Sequence, residues 1–264
     1  MIYSVANIQK LDNSFYRRSD VVQIAKDLLG KILITHFDNQ PTTGRIVETE
    51  AYNGIVDKAS HAYSGRRTTR TEVMFGEAGV AYIYLCYGIH HLFNVVTNKK
   101  DVPHAVLVRA LEPLDGIPVM LQRTGKQKLD HTLTRGPGNL SRALGLATHY
   151  TGTSLLTDEL FIGDDGYRPR KSGIGVSPRI GVDYAEEDAV LPYRFFIKGN
   201  KYVSGPTRPA NPASKAGASK NDRPTRLATS PPRKTNPSRK ADPSRKAESK
   251  ISDKAPRGGR SKAS

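Results

Sequence analysis

Residues 45–61 read Arg45-Ile-Val-Glu-Thr-Glu-Ala-Tyr-Asn-Gly-Ile-Val-Asp-Lys-Ala-Ser-His61. The short apolar run Ile46-Val47 leads into two carboxylates and an aromatic ring, each two residues from the next. Side chains alternate along an extended strand, so Glu48, Glu50 and Tyr52 fall on one face. An acid two residues from a ring, at the mouth of a loop carrying His61, suits a site that holds a flat ligand beside a general base. The plainer reading of the same spacing is an edge strand with solvated glutamates.

Upstream, Asp20 to Leu29 reads as the first helix. Asp20 caps it, Gln23 completes a capping box and Gly30 ends it, with Val21, Ile24, Ala25 and Leu28 as the buried stripe. Lys31 to Phe37 reads as a strand, and a turn through Asp38–Thr42 returns the chain to the acid-bearing strand, Thr43 to Tyr52. Downstream, Asn53 to Phe75 has no clear period and holds His61, Arg66, Arg67 and Arg70. Its Ser-Gly-Arg-Arg-Thr-Thr-Arg cluster is a basic loop suited to phosphate contact, or equally a solvated loop.

Gly79 to Thr97 adds a hairpin. Ala81-Tyr-Ile-Tyr-Leu-Cys-Tyr87 and Leu92-Phe-Asn-Val-Val96 are β-rich runs, and Gly88 lies in the short connection. Tyr82, Tyr84 and Cys86 share one face, and Tyr87, Gly88 and Ile89 sit at or near the tip. An aromatic and an aliphatic side chain there serve either as a wedge between DNA base steps or as groups buried by tertiary packing.

His104 to Leu111 reads as a further strand in which Arg109 interrupts an apolar run, so Arg109 needs an anionic partner. Glu112 is the plain candidate; a glutamate or phosphate in the site is the sharper one. Leu114 to Gln122 is weakly helical, disturbed by Gly116 and Pro118, and Lys126 to Arg135 is a polar connection. Arg135-Gly-Pro-Gly-Asn-Leu-Ser-Arg-Ala-Leu-Gly-Leu146 is a glycine-rich turn opening a helix, whose free N–H groups suit a phosphate. It lacks the Lys-Ser/Thr pair of a P-loop. Leu155–Ile162, Gly175–Val182 and Arg194–Lys198 supply further short strands, and the domain should close near Ser204.

The charge is unevenly spread. The 264 residues hold 41 Lys and Arg against 25 Asp and Glu, and residues 205–264 hold 16 against 4, three quarters of the net excess of +16. That stretch is rich in Pro, Ser, Ala and Lys and nearly without large apolar side chains, so a disordered basic tail is expected, drawn to phosphates without sequence preference. Residues 1–204 are expected to form one domain. The single cysteine, Cys86, allows no intramolecular disulfide and no cysteine-ligated zinc or iron–sulfur site in a monomer. The first ten residues lack the basic start and apolar core of a signal peptide, and no run approaches 18 apolar residues. A monomeric, cytoplasmic protein that meets nucleic acid and no membrane is the expectation.

Together these stretches resemble the alkyladenine (3-methyladenine) DNA glycosylase family, the metal-free purine-excising type. The resemblance runs from Ser19 to Ser204 and rests on Gly44-Arg-Ile-Val-Glu-Thr-Glu-Ala-Tyr52, His61, Met74-Phe75, Ala81-Tyr-Ile-Tyr-Leu-Cys-Tyr-Gly88, Asn94-Val-Val, Val106-Leu-Val-Arg-Ala-Leu-Glu-Pro113, Gly136-Pro-Gly and Arg179-Ile-Gly-Val182. It implies a single mixed α+β domain around a curved antiparallel sheet, with a protruding hairpin that enters the minor groove while the damaged nucleotide flips into a pocket. It implies Glu50 as general base, with Arg109 beside it and the target phosphate. It implies Tyr52, His61 and Tyr84 as the aromatic pocket, and Asn94 as the group that crowds the 2-amino group of guanine. Tyr87, with Ile89 beside it, would fill the gap in the duplex. The chemistry agrees, since a carboxylate near C1′ stabilises an oxocarbenium-like state and can deprotonate water. No cofactor or metal is implied, and no lysine stands where a Schiff base would form, so a monofunctional hydrolase of base-excision repair is expected, acting on duplex DNA with alkylated or deaminated purines such as 3-methyladenine and hypoxanthine. Asn139 stands where the resemblance implies a lysine, and His90 where it implies an aromatic residue.

Two other readings fit the basic composition. One is a non-catalytic duplex DNA-binding protein on the same fold; the other is a hydrolase directed at RNA or nucleotides. A binder has no need of Glu50 together with three aromatic partners, and competition between damaged duplex DNA and RNA separates the third reading from the first.

Overall fold

In the computed structural model, which describes residues 8–206, the chain passes through β1 (Gln9–Lys10), α1 (Asn13–Tyr16), α2 (Val21–Asp27), β2 (Ile32–Phe37) and β3 (Gln40–Tyr52). A loop of 310 turns follows, then the hairpin β4 (Ala81–Cys86) and β5 (His90–Thr97), and the long β6 (His104–Asp115). The helices α3 (Ile117–Thr124) and α4 (Pro137–Leu144) come next, before the short strands β7 (Leu160–Asp164), β8 (Ile174–Ser177) and β9 (Arg194–Ile197). Every pairing is antiparallel, in the order β1-β7-β2-β3-β6-β5-β4, with β9 on β3 and β8 on β9. This is the mixed α+β architecture expected. The tail expected over residues 205–264 lies outside the described residues beyond Pro206. No helix among the described residues is long and apolar enough to cross a membrane.

The acid-bearing strand lies at the centre of the sheet. One edge of β3 carries β6 along most of its length, and the other carries β2 over Gln40–Arg45 and then β9 over Glu48–Glu50. Glu48 and Glu50 are 0% exposed, so the edge-strand reading with solvated glutamates is wrong. It fails because the partner that covers them, β9, arrives some 145 residues later, with Glu50 opposite Arg194.

The β3–β6 ladder is irregular where the charges sit, with register shifts between Ile46 and Glu48 and between Glu48 and Thr49. Val47 packs with Ala110, Phe196, Tyr202 and Val203, while Ile46 and Leu111 join the main core. Two successive residues on each strand, Val47-Glu48 and Arg109-Ala110, therefore leave the helix-covered face together. A bulge re-aims side chains in this way, and here it sets Glu48 beside Arg109.

The helices cover the other face. Val21, Ile24 and Ala25 of α2, Met120 of α3 and Leu140, Ala143 and Leu144 of α4 pack with Leu33, Ile46, Phe93, Val95, Val106 and Val108 of the sheet. The Asp20 carboxylate accepts the Gln23 N–H at 2.9 Å, as expected of a cap, but the Gln23 side chain turns forward to Asp27 at 2.8 Å, so no reciprocal capping box forms. Gly116 and Pro118 start α3 and do not disturb it: Gly116 takes φ +73° at the cap and Pro118 stands in the first turn, where no N–H is needed. The strand expected at 155–162 starts only at Leu160 and runs on to Asp164, and the one expected at 175–182 spans Ile174–Ser177 and stops there, because Pro178 has no N–H to continue the ladder.

Glu48 neutralises two guanidiniums in this interior. Replacing it by alanine is expected to cost about 3–5 kcal/mol of unfolding free energy, the magnitude for orphaning a buried charge. Urea unfolding of Glu48→Ala against the parent measures it, and a loss below about 1 kcal/mol would show that water reaches the cluster.

Candidate active site

Four charged side chains form a buried cluster on the face away from the helices. Glu48 Oε1 accepts from Arg109 Nε at 2.9 Å, Arg194 Nε at 2.7 Å and Ser204 Oγ at 3.1 Å, and its Oε2 accepts the Ser204 backbone N–H at 2.6 Å. Arg194 also donates to Ser177 Oγ at 2.9 Å and to the Ser204 carbonyl. Arg109 extends a second nitrogen, Nη1, to Glu50 Oε1 at 3.2 Å. Burial by itself would depress this guanidinium; Glu50 and Glu48 outweigh it and hold Arg109 above its ordinary value. The plain partner, Glu112, is instead engaged by Asn200 at 2.9 Å. The reason is the bulge, which turns Arg109 toward β3.

Glu50 is held from three sides. Oε1 accepts the Ile180 backbone N–H at 2.8 Å in addition to Arg109, and Oε2 accepts the Tyr52 hydroxyl at 2.9 Å. Burial first, and the Glu50 carboxylate next, push the Tyr52 phenol well above its ordinary value, so it remains a donor. Behind the Tyr52 ring lies Arg179, its guanidinium carbon 4.8 Å from the ring centroid and its nitrogens in a two-point pair with Asp57. Tyr52, Ile180 and Arg109 all line a cavity of about 670 Å3, with Glu50 directly behind them.

One part of the cavity wall is aromatic. His61, Tyr82 and Tyr84 line it with Met74, Asn94 and Leu107. The His61 and Tyr84 rings meet edge to face with centroids 4.6 Å apart. A flat base between two parallel faces needs about 7 Å, two van der Waals spacings. No base fits between His61 and Tyr84, which form one wall; Tyr52 lines the same cavity. His61 Nδ1 lies 2.8 Å from the Tyr82 hydroxyl, and Nε2 lies 3.4 Å from Arg70 Nη2. A guanidinium only donates, so Nε2 is the acceptor and Nδ1 carries the proton. Asn94 is buried and donates its amide to the carbonyls of Tyr82 and Leu92, both at 3.1 Å, which leaves the amide oxygen for the cavity.

The hairpin tip stands free. Cys86 O accepts the Ile89 N–H at 3.2 Å, and Tyr87 and Gly88 both have positive φ, 51° and 73°. This is a type I′ turn, and for a bulky residue such as Tyr87 the left-handed backbone costs roughly 1–2 kcal/mol. Tyr87 is 88% exposed and Ile89 71%, so tertiary packing buries neither. Just beyond the turn, at the first residue of β5, His90 lies against Gly138, where an added Cβ would come within 2.7 Å of the imidazole. The Gly136–Asn139 turn thus lines the same cavity, while the Asn139 side chain is engaged by the Arg135 carbonyl at 2.9 Å.

The three loop arginines separate. Arg67 pairs with Glu72 and Asp101, whereas Arg66 and Arg70 line a second cavity of about 460 Å3 and Arg70 lines both. The sequence reading missed the Ile180 N–H, Arg194, Ser204, Tyr82 and the Asp57–Arg179 pair. The run Arg179-Ile-Gly-Val was noticed, yet nothing local says that its amide turns to a carboxylate 130 positions earlier. No group of three or more His, Cys, Asp or Glu among the described residues could hold a metal ion.

Residues 14–201 match the family model described as Methylpurine-DNA glycosylase (MPG). Among similar proteins, one from Chlamydia abortus is 48% identical over 189 residues, 71% of this chain and 97% of its own length. One from Bacillus cereus (strain G9842) is 47% identical over 199 residues, 72% and 97% of the two chains. One from Desulfitobacterium hafniense is 40% identical over 204 residues, 75% and 99%. All three carry the name "Putative 3-methyladenine DNA glycosylase".

The pocket predicts a pH dependence. Burial, then Arg70 and Arg66, lower His61 from 6.5 to about 4. Between those values the unfolded chain binds the extra proton, so the stability that depends on neutral His61 is complete above about pH 6.5 and drains away as the pH falls toward 4. Urea midpoints at pH 7.5 and 5 should fall further for the parent than for His61→Asn, and equal losses would mean that His61 titrates normally.

Proposed function

This chain belongs to the methylpurine-DNA glycosylase family, and we propose that it excises alkylated or deaminated purines from duplex DNA by a metal-independent hydrolysis centred on Glu50. The observation that carries this reading is a fully buried carboxylate hydrogen-bonded by Tyr52 and Ile180 and ion-paired with Arg109, all three of which line a cavity with an aromatic wall. A flipped purine enters that cavity between Tyr52 and the His61–Tyr84 wall. Tyrosine faces attract cationic rings such as 3-methyladenine by about 0.5–2 kcal/mol each. Flipping costs a few kcal/mol and costs less at damaged or mispaired bases.

As the glycosidic bond breaks, positive charge grows on the sugar and Glu50 stabilises it. Its Oε2 holds one donor, the Tyr52 hydroxyl, and a carboxylate oxygen has about two acceptor positions, so one remains to take a proton from the attacking water. Asn94 disfavours an intact guanine by crowding its 2-amino group. Tyr87 and Ile89 enter the minor groove and fill the space the base has left. Their exposure, and the left-handed backbone at Tyr87, support a role outside the protein's own packing. Arg66 meets the backbone phosphates with less competition than Arg67, which its two acids occupy. In this reading residues 1–204 are the catalytic domain, a monomer acting on cytoplasmic chromosomal DNA, and residues 205–264 add a salt-screened attraction to phosphates.

Single-turnover release of free base, in EDTA, from duplexes containing hypoxanthine and from methylated DNA containing 3-methyladenine tests the proposal. Glu50→Gln should release base at least about 100-fold more slowly while binding lesion duplex as well as the parent does. Parent-rate release by the variant would sink the assignment of Glu50, and no release by a folded, DNA-binding parent would turn the reading to a non-catalytic binder. Tyr87→Ser should weaken binding to lesion duplex about tenfold, with base release from single-stranded substrate unchanged; undiminished duplex binding would dispose of the wedge.

A further inference from the structure

Arg109 and Arg70 are the permanently charged side chains that line the main cavity. They differ in their surroundings. Arg109 is compensated by Glu48 and Glu50, inside a cluster of two carboxylates and two guanidiniums. Arg179, behind Tyr52, is compensated by Asp57. Lys58, at the rim of the adjoining cavity, carries Glu186 and Glu187. Arg70 makes no ion pair among the described residues. Its guanidinium carbon lies 4.8 Å from the Tyr84 ring centroid, and Nη2 lies 3.4 Å from the neutral acceptor His61 Nε2. The aromatic wall that would receive the base is thus edged by an uncompensated cation with most of its five donors unspent.

We propose that Arg70 is a specificity-determining residue of the pocket, assisting the release of neutral deaminated purines such as hypoxanthine in preference to cationic N-alkylated purines. The inference rests on the glycosylase reading above and deepens it. In both reactions the C1′–N9 bond breaks with its electron pair moving to the base. Water oxygen bonds to C1′, and the water's proton passes to Glu50. The two leaving groups differ in charge. A cationic 3-methyladenine is neutralised by the incoming pair, so it leaves readily and offers no growing negative charge to stabilise. Neutral hypoxanthine departs as an anion, its charge spread over ring nitrogens and the 6-oxygen, and then takes up a proton from solvent. A guanidinium at the ring's edge stabilises that anion as it forms and has no attraction for the cationic ring. An interaction stronger in the transition state than in the ground state raises the rate.

The test compares the full chain with Arg70→Gln and Arg70→Lys in single-turnover base release from hypoxanthine duplex and from methylated duplex containing 3-methyladenine. Arg70→Gln should slow hypoxanthine release at least about tenfold and change 3-methyladenine release by less than about threefold. Arg70→Lys keeps the charge and should hold the ratio of the two rates within about threefold of the parent's. Equal losses on both substrates in Arg70→Gln, which mark a phosphate contact or a packing role, would overturn the proposal, as would an unchanged ratio. A parent that releases neither base would overturn the glycosylase reading itself and this inference with it; a parent active on both, with an unmoved ratio, removes the inference alone.

Discussion

Glu48 is the residue on which the rest of the structure depends. It is fully buried and joins three distant parts of the chain: β6 through Arg109, β9 through Arg194, and the segment after β9 through Ser204. Burying a carboxylate costs several kcal/mol and is offset only when every charge is matched and its hydrogen bonds are made. Here two carboxylates face two guanidiniums, and the remaining nitrogens find Ser177 Oγ and the carbonyls of Ser204 and Pro206. A pair of this kind contributes little net stability over a well-packed apolar core, yet breaking it is expensive. Its consequence is positional. Because Arg109 is shared between Glu48 and Glu50, the sheet that places Glu48 also places the second glutamate, two residues further on.

What could be read from the sequence was local. The shared face of Glu50 and Tyr52, the Asp20 cap, the buried stripe of α2 and the turn at Tyr87-Gly88 all follow from spacing and residue type. What could not be read was long-range. Nothing near Glu48 says that β9 will cover it, and without that partner two glutamates on a strand look solvated. Arg109 announced its need for an anion, but the nearest acid in sequence, Glu112, was a decoy, since the choice depends on a register shift that alternation cannot foresee. The three loop arginines are alike in composition and separate only when Glu72 and Asp101 are seen to occupy Arg67. The helix α3 was underrated for a different reason: Gly116 and Pro118 disturb a helix interior but suit its first turn.

The two halves of the site are held differently. The Glu50 half rests on central strands and buried ion pairs. The hairpin half projects from the end of the sheet order and is braced beside its turn, where His90 lies against Gly138 and a side chain in place of that glycine would meet the imidazole. The contact ties the hairpin to the first turn of α4, whose other end is buried with Leu140, Ala143 and Leu144 in the main core. A histidine where the resemblance implies an aromatic ring is thereby accounted for by packing against a residue with no side chain.

The two glutamates also differ in a way that bears on the proposed chemistry. A carboxylate has about four acceptor positions. Glu48 receives four donors: Arg109, Arg194, and the amide and hydroxyl of Ser204. Glu50 receives two hydrogen bonds, from the Ile180 N–H and the Tyr52 hydroxyl, and Arg109 adds an ion-pair contact at 3.2 Å. Arg194 and Ser204 lie away from the cavity, while each donor to Glu50 is part of its wall. The difference is one of location: Glu48 is held by groups that mostly lie away from the cavity and serves the fold, and Glu50 has acceptor capacity on the side where a ligand would sit. The two-residue spacing that makes them look equivalent in the sequence is what allows one arginine to bind both, and the position of their remaining partners, away from the cavity for Glu48 and in its wall for Glu50, is what separates a structural carboxylate from one placed to accept a proton.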